Sequence, residues 1–405
     1  MNTLSWPAIV ALEITPNCNN RCPGCSNIYA DDRERSWLPA EQWVRWLDAF
    51  APEAVQMRLT GGEPTLHPEF LSIFDAATGY DAQVTVFSNG RWRNPKQLLQ
   101  RMKGRRNFSG FLISLHGACA ETHESFTHVP GSFAQAVQNI QLALQAGIPV
   151  AISTVLTQQS WRETEEVVQL AKQLGAKHVA FNRYLGAPDP SIEPSIEDFR
   201  QAVVSIEKML EAGESIKYGI GVPQCFVENG SDGCLAGVAY VSIDPWGRLR
   251  PCAHSPAILG TLVTRSFFEI WNSQELQNWR SLMPAECLEC AAYAVCHGGC
   301  RAVQELRPDK KDVLRCEPMT SFRRRQTTEK IPAELRPVQN CRIRQEGPGF
   351  AALGNGYAVL ISSGASDLLR ACDGTQTVQN LTAQYGRDGL NLIGDFLQKG
   401  LLKAV

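Results

Sequence analysis

Cys18, Cys22 and Cys25 form a C-x3-C-x2-C cluster directly after a short apolar run, residues 8–14. Thiolates at this spacing suit a metal. A [4Fe–4S] cluster ordinarily takes four thiolates. Here three lie close together, and the next cysteine is Cys119. Three ligands would leave one iron open, and an open metal position is where chemistry can occur. For this cluster taken alone, a zinc knuckle or a set of packed thiols is the plainer alternative.

Gly61-Gly62-Glu63-Pro64 follows at the end of a second apolar run, residues 54–60. By itself it is a turn. Placed after the cysteine cluster, it makes the pair resemble the radical SAM superfamily. The resemblance implies that the open iron chelates the amino and carboxylate groups of S-adenosylmethionine (SAM). A 5′-deoxyadenosyl radical released from SAM would then take a hydrogen atom from the substrate. Gly61, Gly62, Glu63 and Pro64 would form the SAM-binding turn, where small residues let the backbone approach the ligand.

These motifs need elements to hold them. Apolar runs at 8–14, 54–60, 82–87, 111–115, 148–155 and 178–183 read as strands. Helical patterns lie between them at 40–50, 68–78, 95–103, 133–145 and 162–174, with a last one at 196–210. Pro39 suits a helix start, and Gly147 and Gly175 suit helix ends. Six βα units in order predict an α/β fold with a parallel sheet and helices outside. Six are too few for a closed eight-fold barrel. The expectation is a partial (β/α)6 TIM barrel, which is also the fold the resemblance implies. Its working groups belong at the strand C-termini. Ser88-Asn89, Ser114 and Asn182-Arg183 end three further strands. The resemblance implies that Ser88, Asn89, Ser114 and Arg183 contact SAM. The chain departs from the family pattern at His116, where many relatives have aspartate. It also departs at Thr127–His128, near which many have arginine, and at Gly24, where an aromatic residue is common.

A second cysteine field holds Cys225, Cys234, Cys252, Cys287, Cys290, Cys296, Cys300 and Cys316. Its centre reads C-x2-C-x5-C-x3-C, and Gly247 precedes Cys252 as G-x4-C. This resembles the SPASM extension of peptide-modifying radical SAM enzymes. The resemblance implies two auxiliary [4Fe–4S] clusters. Cys225, Cys234, Cys252 and Cys300 would hold the nearer one. Cys287, Cys290, Cys296 and Cys316 would hold the farther one. A pair of zinc sites is the alternative.

Residues 322–338, with Arg323-Arg324-Arg325 and two prolines, read as a linker. Beyond it, strand patterns, an Asn355-Gly356 turn and three helices predict a small winged-helix domain. It resembles the PqqD-like element that binds a leader peptide as an added strand. A DNA-binding winged helix is the alternative. From 339 to 405 there are six Lys/Arg and five Asp/Glu, a poor phosphate-binding surface. The expected domains are 1–215, 216–321 and 339–405.

The chain has 405 residues, 44% hydrophobic and 20% charged, with net charge −2. That balance gives no global attraction to nucleic acid or to an anionic membrane. No apolar run reaches transmembrane length, and the N-terminus carries Glu13 inside its apolar stretch. Fourteen cysteines without a secretion signal point to metal and a reducing cytoplasm. The expected cofactors are a SAM-binding [4Fe–4S] cluster, two auxiliary clusters and SAM. The expected activity is modification of a ribosomally made precursor peptide held by its leader. An oxidative C–C, thioether or ether cross-link is favoured, with flavodoxin or ferredoxin as electron donor. A maturase acting on a folded protein, and a non-catalytic iron–sulfur or DNA-binding regulator, are the alternatives.

Overall fold

The computed structural model describes residues 3–23, 25, 37–186, 188–219, 221–227, 233–309, 311–321, 331–347 and 349–404. The arginine run at 323–325 and Gly24 lie outside them. Six parallel strands form the barrel wall: β1 (Ile9–Glu13), β2 (Gln56–Thr60), β3 (Gln83–Ser88), β4 (Phe108–Ser114), β5 (Val150–Leu156) and β6 (Val179–Arg183). The connecting helices are α1 (Ala40–Phe50), α2 (Phe70–Ala77), α3 (Pro95–Met102), α4 (Ala120–Thr127), α5 (Ser132–Gln145), α6 (Thr164–Leu174) and α7 (Ile196–Glu211). α1 has the expected bounds because Trp43, Trp46, Leu47 and Phe50 make one apolar stripe against the sheet. Pro39 stands one place earlier than expected, at the N-cap. α4 was not legible in the sequence, since its residues AETHESFT lack an apolar period.

The barrel sheet is wider than the six expected strands. β7 (Ile216–Tyr218) adds in parallel to β6. β8 (Tyr240–Ile243) adds in parallel to β1, and β9 (Arg248–Arg250) and β10 (Gly260–Thr261) follow antiparallel. The cysteine-rich segment therefore continues the barrel sheet past β1. Four short helices complete it: α8 (Phe267–Trp271), α9 (Gln274–Arg280), α10 (Tyr293–Cys296) and α11 (Arg301–Leu306).

The C-terminal module starts earlier than expected. β11 (Pro337–Gln339), which begins in the last two residues of the stretch read as linker, pairs antiparallel with β15 (Leu402–Ala404). β12 (Arg342–Glu346), β13 (Gly349–Gly354) and β14 (Tyr357–Ile361) form a separate antiparallel sheet. Asn355 and Gly356 turn β13 into β14 with positive φ at both positions, as an Asn-Gly hairpin requires. The helices are α12 (Ser363–Ala371) and α13 (Val378–Gln398), the latter broken at Gly386 with φ 71°. That break yields the second and third helices read from the sequence.

One face of this small sheet packs on its own helices through Ala352 and Ile361. The other face covers the barrel floor. Ala351 and Leu353 bury against Leu4, Ala8, Val55 and Ala239. Arg344 anchors the contact, donating to Glu53 at 3.0 Å and to the Trp6 carbonyl at 2.7 Å. Among the described residues no helix is long and apolar enough to cross a membrane. Leu353→Ala is expected to lower stability by about 3 kcal/mol through loss of buried apolar area, read as a lower urea midpoint. An unchanged midpoint would mean that this face contributes nothing to the fold.

Candidate functional site

The two motifs meet at the barrel rim. Ile14 N–H donates to the Thr60 carbonyl at 3.0 Å, which prolongs the β1–β2 pairing. Gly62 N–H then donates to Thr15 O at 2.8 Å, and Glu63 N–H to Asn17 O at 2.7 Å. Gly61 has φ +133°, and a Cβ there would lie 2.4 Å from Thr15 O. A Cβ at Gly62 would lie 2.1 Å from Asn17 O. Only glycine permits this approach at either position. The turn thus fixes the chain immediately before Cys18.

The loop after Cys18 is held from the neighbouring strand ends. Cys18 Sγ accepts from Asn20 N–H at 3.4 Å and from Asn89 Nδ2 at 3.6 Å. Asn89 Nδ2 also donates to Asn19 Oδ1 at 2.6 Å. Arg91 donates to Asn20 Oδ1 at 2.8 Å and to the Asn19 carbonyl. Arg21 N–H donates to the Thr127 carbonyl at the end of α4. Cys18 and Cys22 are half-buried and Cys25 is exposed.

Several residues expected to contact SAM have partners within the chain. Glu63 is fully buried. Its carboxylate accepts from Ser88 Oγ at 2.9 Å, Asn89 N–H at 2.8 Å and Thr65 Oγ1 at 2.6 Å. Burial pushes its pKa up, and these donors pull it down. Glu63 and Ser88 therefore lock the end of β2 to the end of β3, and Ser88 also accepts from Trp92 Nε1 at 2.8 Å. Pro64 is buried and opens a short 3-10 turn, Pro64–Leu66. Ser114 ends β4 half-buried. Arg183 is buried, and its Nη1 donates to Asp312 Oδ1 at 2.6 Å, with Glu193 3.7 Å away. A buried guanidinium must be paired, so Arg183 joins the barrel mouth to the cysteine-rich domain. Asp312 and Glu193 carried no motif that a sequence reading could use.

His116 stacks on His123 with ring centroids 5.7 Å apart. His123 Nδ1 accepts from His116 N–H at 3.0 Å, and His116 Nδ1 accepts from Val155 N–H at 3.3 Å. Burial, and for His116 the neighbouring imidazole, lowers His116 to about 3. Burial lowers His123 to about 4. Both rings are neutral at pH 7.

The second cysteine field separates into two places. Cys252 and Cys300 are buried, and Cys234 lies close enough to interact with both. Cys225, Cys287, Cys290, Cys296 and Cys316 line one open cavity, with Asp312 and Arg315. The expected grouping put Cys225 with Cys234. Here Cys225 Sγ instead accepts from Cys316 N–H at 3.4 Å. Burial pushes the Cys225 and Cys300 thiols up to about 12, and raises Cys252 as well. Such thiols ionise only against a cation.

The donor set fits iron–sulfur clusters. Among the described residues no three His, Cys, Asp or Glu side chains are placed to hold a single metal ion. A cluster does not need that, because each thiolate binds a different iron. His297 Nδ1 lies 2.9 Å from the Cys234 carbonyl, and His254 is half-buried, its pKa lowered to about 4 by desolvation and by Arg250. Both border cysteines rather than joining a donor set.

The sequence matches the radical SAM superfamily over residues 12–217 and an iron–sulfur cluster-binding domain, SPASM, over 234–300. It is 26% identical to the AdoMet-dependent heme synthase of Methanosarcina barkeri, over 73% of this chain and 91% of that protein. It is 23% identical to the PqqA peptide cyclase of Granulibacter bethesdensis, over 74% of this chain and 84% of that protein. Among solved structures, Streptococcus suis SuiB bound to S-adenosylmethionine superposes with a TM-score of 0.63 at 16% identity, covering 77% of this chain and 78% of SuiB. SuiB bound to precursor peptide SuiA superposes with a TM-score of 0.62 at 17% identity, covering 77% of this chain and 76% of SuiB.

The histidine pair generates a pH prediction. Both folded-state pKa values lie below the unfolded value of 6.5. Their contribution to stability is therefore complete above pH 6.5 and is lost as pH falls toward about 4 for His123 and about 3 for His116. In the metal-free protein, His116→Gln should reduce the acid-induced loss by about 1.4 kcal/mol per pH unit within that window. Urea midpoints measured against pH test this, and parallel curves for variant and wild type would refute it.

Proposed function

The chain belongs to the radical SAM superfamily, and from that premise we propose that it modifies a ribosomally made precursor peptide. It is a SAM-dependent enzyme whose two domains use a [4Fe–4S] cluster, auxiliary clusters and SAM. When bound, that cluster and SAM supply a 5′-deoxyadenosyl radical able to remove a hydrogen atom. Cys18, Cys22 and Cys25 are the ligands of the SAM-binding cluster. Cys225, Cys234, Cys252, Cys287, Cys290, Cys296, Cys300 and Cys316 serve the auxiliary clusters. Gly61 and Gly62 give SAM a backbone surface, while Glu63 and Ser88 keep that surface rigid.

The observation that carries the peptide reading is the C-terminal sheet. β14 is an edge strand, and its residues YAVLI are apolar and mostly half-exposed. An edge of this kind invites a further strand. The opposite edge, β12, is tied to the barrel by Arg344. A leader bound along β14 would raise the effective concentration of the core peptide at the rim. This is the PqqD-like role in which the sequence resemblance casts the module. The relative named for peptide cyclisation and the fold shared with SuiB support a peptide substrate. The favoured product is an oxidative cross-link, with net loss of two hydrogens. Flavodoxin or ferredoxin supplies the electron, in the cytoplasm, where a chain with fourteen cysteines is at home.

Short peptides encoded beside this gene, co-expressed anaerobically with the enzyme, provide the test. A mass lower by two hydrogens on one peptide is the expected result. No change on any peptide would turn the reading toward a folded-protein or non-peptide substrate. Cys22→Ala should abolish 5′-deoxyadenosine formation, measured by chromatography; retained turnover would sink the cluster assignment. Cys290→Ala should keep SAM cleavage and lose the product. If product persists, that site is structural.

A further inference from the structure

Arg58 stands in the wall of the barrel lumen. On β2, Met57 and Leu59 are buried in the core between sheet and helices. Alternation along the strand therefore turns Gln56, Arg58 and Thr60 to the lumen side. The guanidinium carbon lies 5.5 Å from the centroid of the Phe87 ring and 5.2 Å from that of Tyr240. Nε donates to Gln56 Oε1 at 2.9 Å. No carboxylate of the described residues pairs with it. Glu13, also on the lumen side, is already engaged: Arg250 Nη1 lies 3.1 Å and Ser242 Oγ 2.5 Å from its oxygens.

An arginine does not give up its proton in a protein. Arg58 is half-buried, and a cation partly withdrawn from water is less stable without an anion than with one. The two ring faces offset part of that cost and hold the side chain in place. They cannot supply the two parallel hydrogen bonds that the guanidinium fork is shaped to make. The Nη edge is thus prepared for an anion that arrives from outside the chain.

We propose that Arg58 is the anchor for a substrate carboxylate inside the barrel, the side-chain carboxylate of an aspartate or glutamate in the modified peptide. The peptide origin of that carboxylate rests on the function proposed above. Arg58 lies three residues before Gly61, so its backbone sits roughly 10 Å below the SAM turn. A glutamate side chain and the arginine side chain together span about that distance. A residue held by its carboxylate at Arg58 would present its own backbone and Cβ at the rim.

The test titrates the cluster-loaded enzyme, with SAM present, using N-acetylglutamate amide and its uncharged counterpart N-acetylglutamine amide. Wild type should bind the glutamate probe roughly tenfold more tightly than the glutamine probe. Arg58→Met should erase that preference, and Arg58→Lys, which keeps the charge but loses the fork, should leave an intermediate one. Iron content and thermal midpoint report whether each variant is folded. No preference in wild type overturns the proposal, and so does a preference that survives in Arg58→Met. If Arg58→Met does not fold, an undiminished preference in Arg58→Lys overturns it. A preference that depends on Arg58, with no encoded peptide modified, would keep the anchor and remove the peptide reading. A modified peptide without the preference would do the reverse.

Discussion

The rim depends on a close backbone contact between Thr15–Asn17 and Gly61–Glu63. Two main-chain hydrogen bonds hold it, and two glycines make it possible. It joins the cysteine loop to the Gly-Gly-Glu-Pro turn at a distance no side chain would allow. The buried Glu63 carboxylate extends the same contact sideways to β3, whose next residues, Asn89 and Arg91, hold the cysteine loop. The chain from Thr15 to Arg21 is therefore fixed from both sides by backbone and by short polar side chains. This is the preorganisation that a cluster with one open iron requires.

Two buried ion pairs then set where the auxiliary cysteines stand. Glu13 on β1 meets Arg250 on β9, and Arg250 also donates to the Ser255 and Ala253 carbonyls around Cys252. Arg183 at the end of β6 meets Asp312, which lines the Cys225–Cys316 cavity. Each pair joins one side of the barrel to one half of the cysteine-rich domain. Neither can be opened cheaply, because a lone buried charge is far less stable than a paired one. The two pairs give the cysteine-rich domain two fixed points on the barrel, one near β1 and one near β6.

The C-terminal module has a mechanical part. Its sheet is covered on both faces, by its own helices and by the barrel floor. This leaves its edges, not its faces, for binding. Arg344 and Glu53 tie the β12 edge, so β14 is the edge that remains at hand.

Much of this was legible in the sequence. Barrel strands and helices declare themselves by period, since one face of each must be apolar. The cysteines and glycines declare themselves by type, since few other residues do their work. Glu13 also left a trace, as a charge inside an apolar strand. What the sequence by itself determined is thus the inventory: six βα units, two cysteine fields, a glycine turn and a strand-then-helix module. The tertiary structure decided the pairings. It assigned Glu63 and Ser88 to each other, Arg183 to Asp312 and Cys225 to the neighbourhood of Cys316. It extended the barrel sheet through β8 and drew 337–339 into a strand with 402–404. Each of these joins residues far apart in the chain, and their energy comes from burial and charge pairing in a folded setting. Local pattern carries no record of such partners, because the low-dielectric surroundings that make them obligatory exist only after the chain has closed.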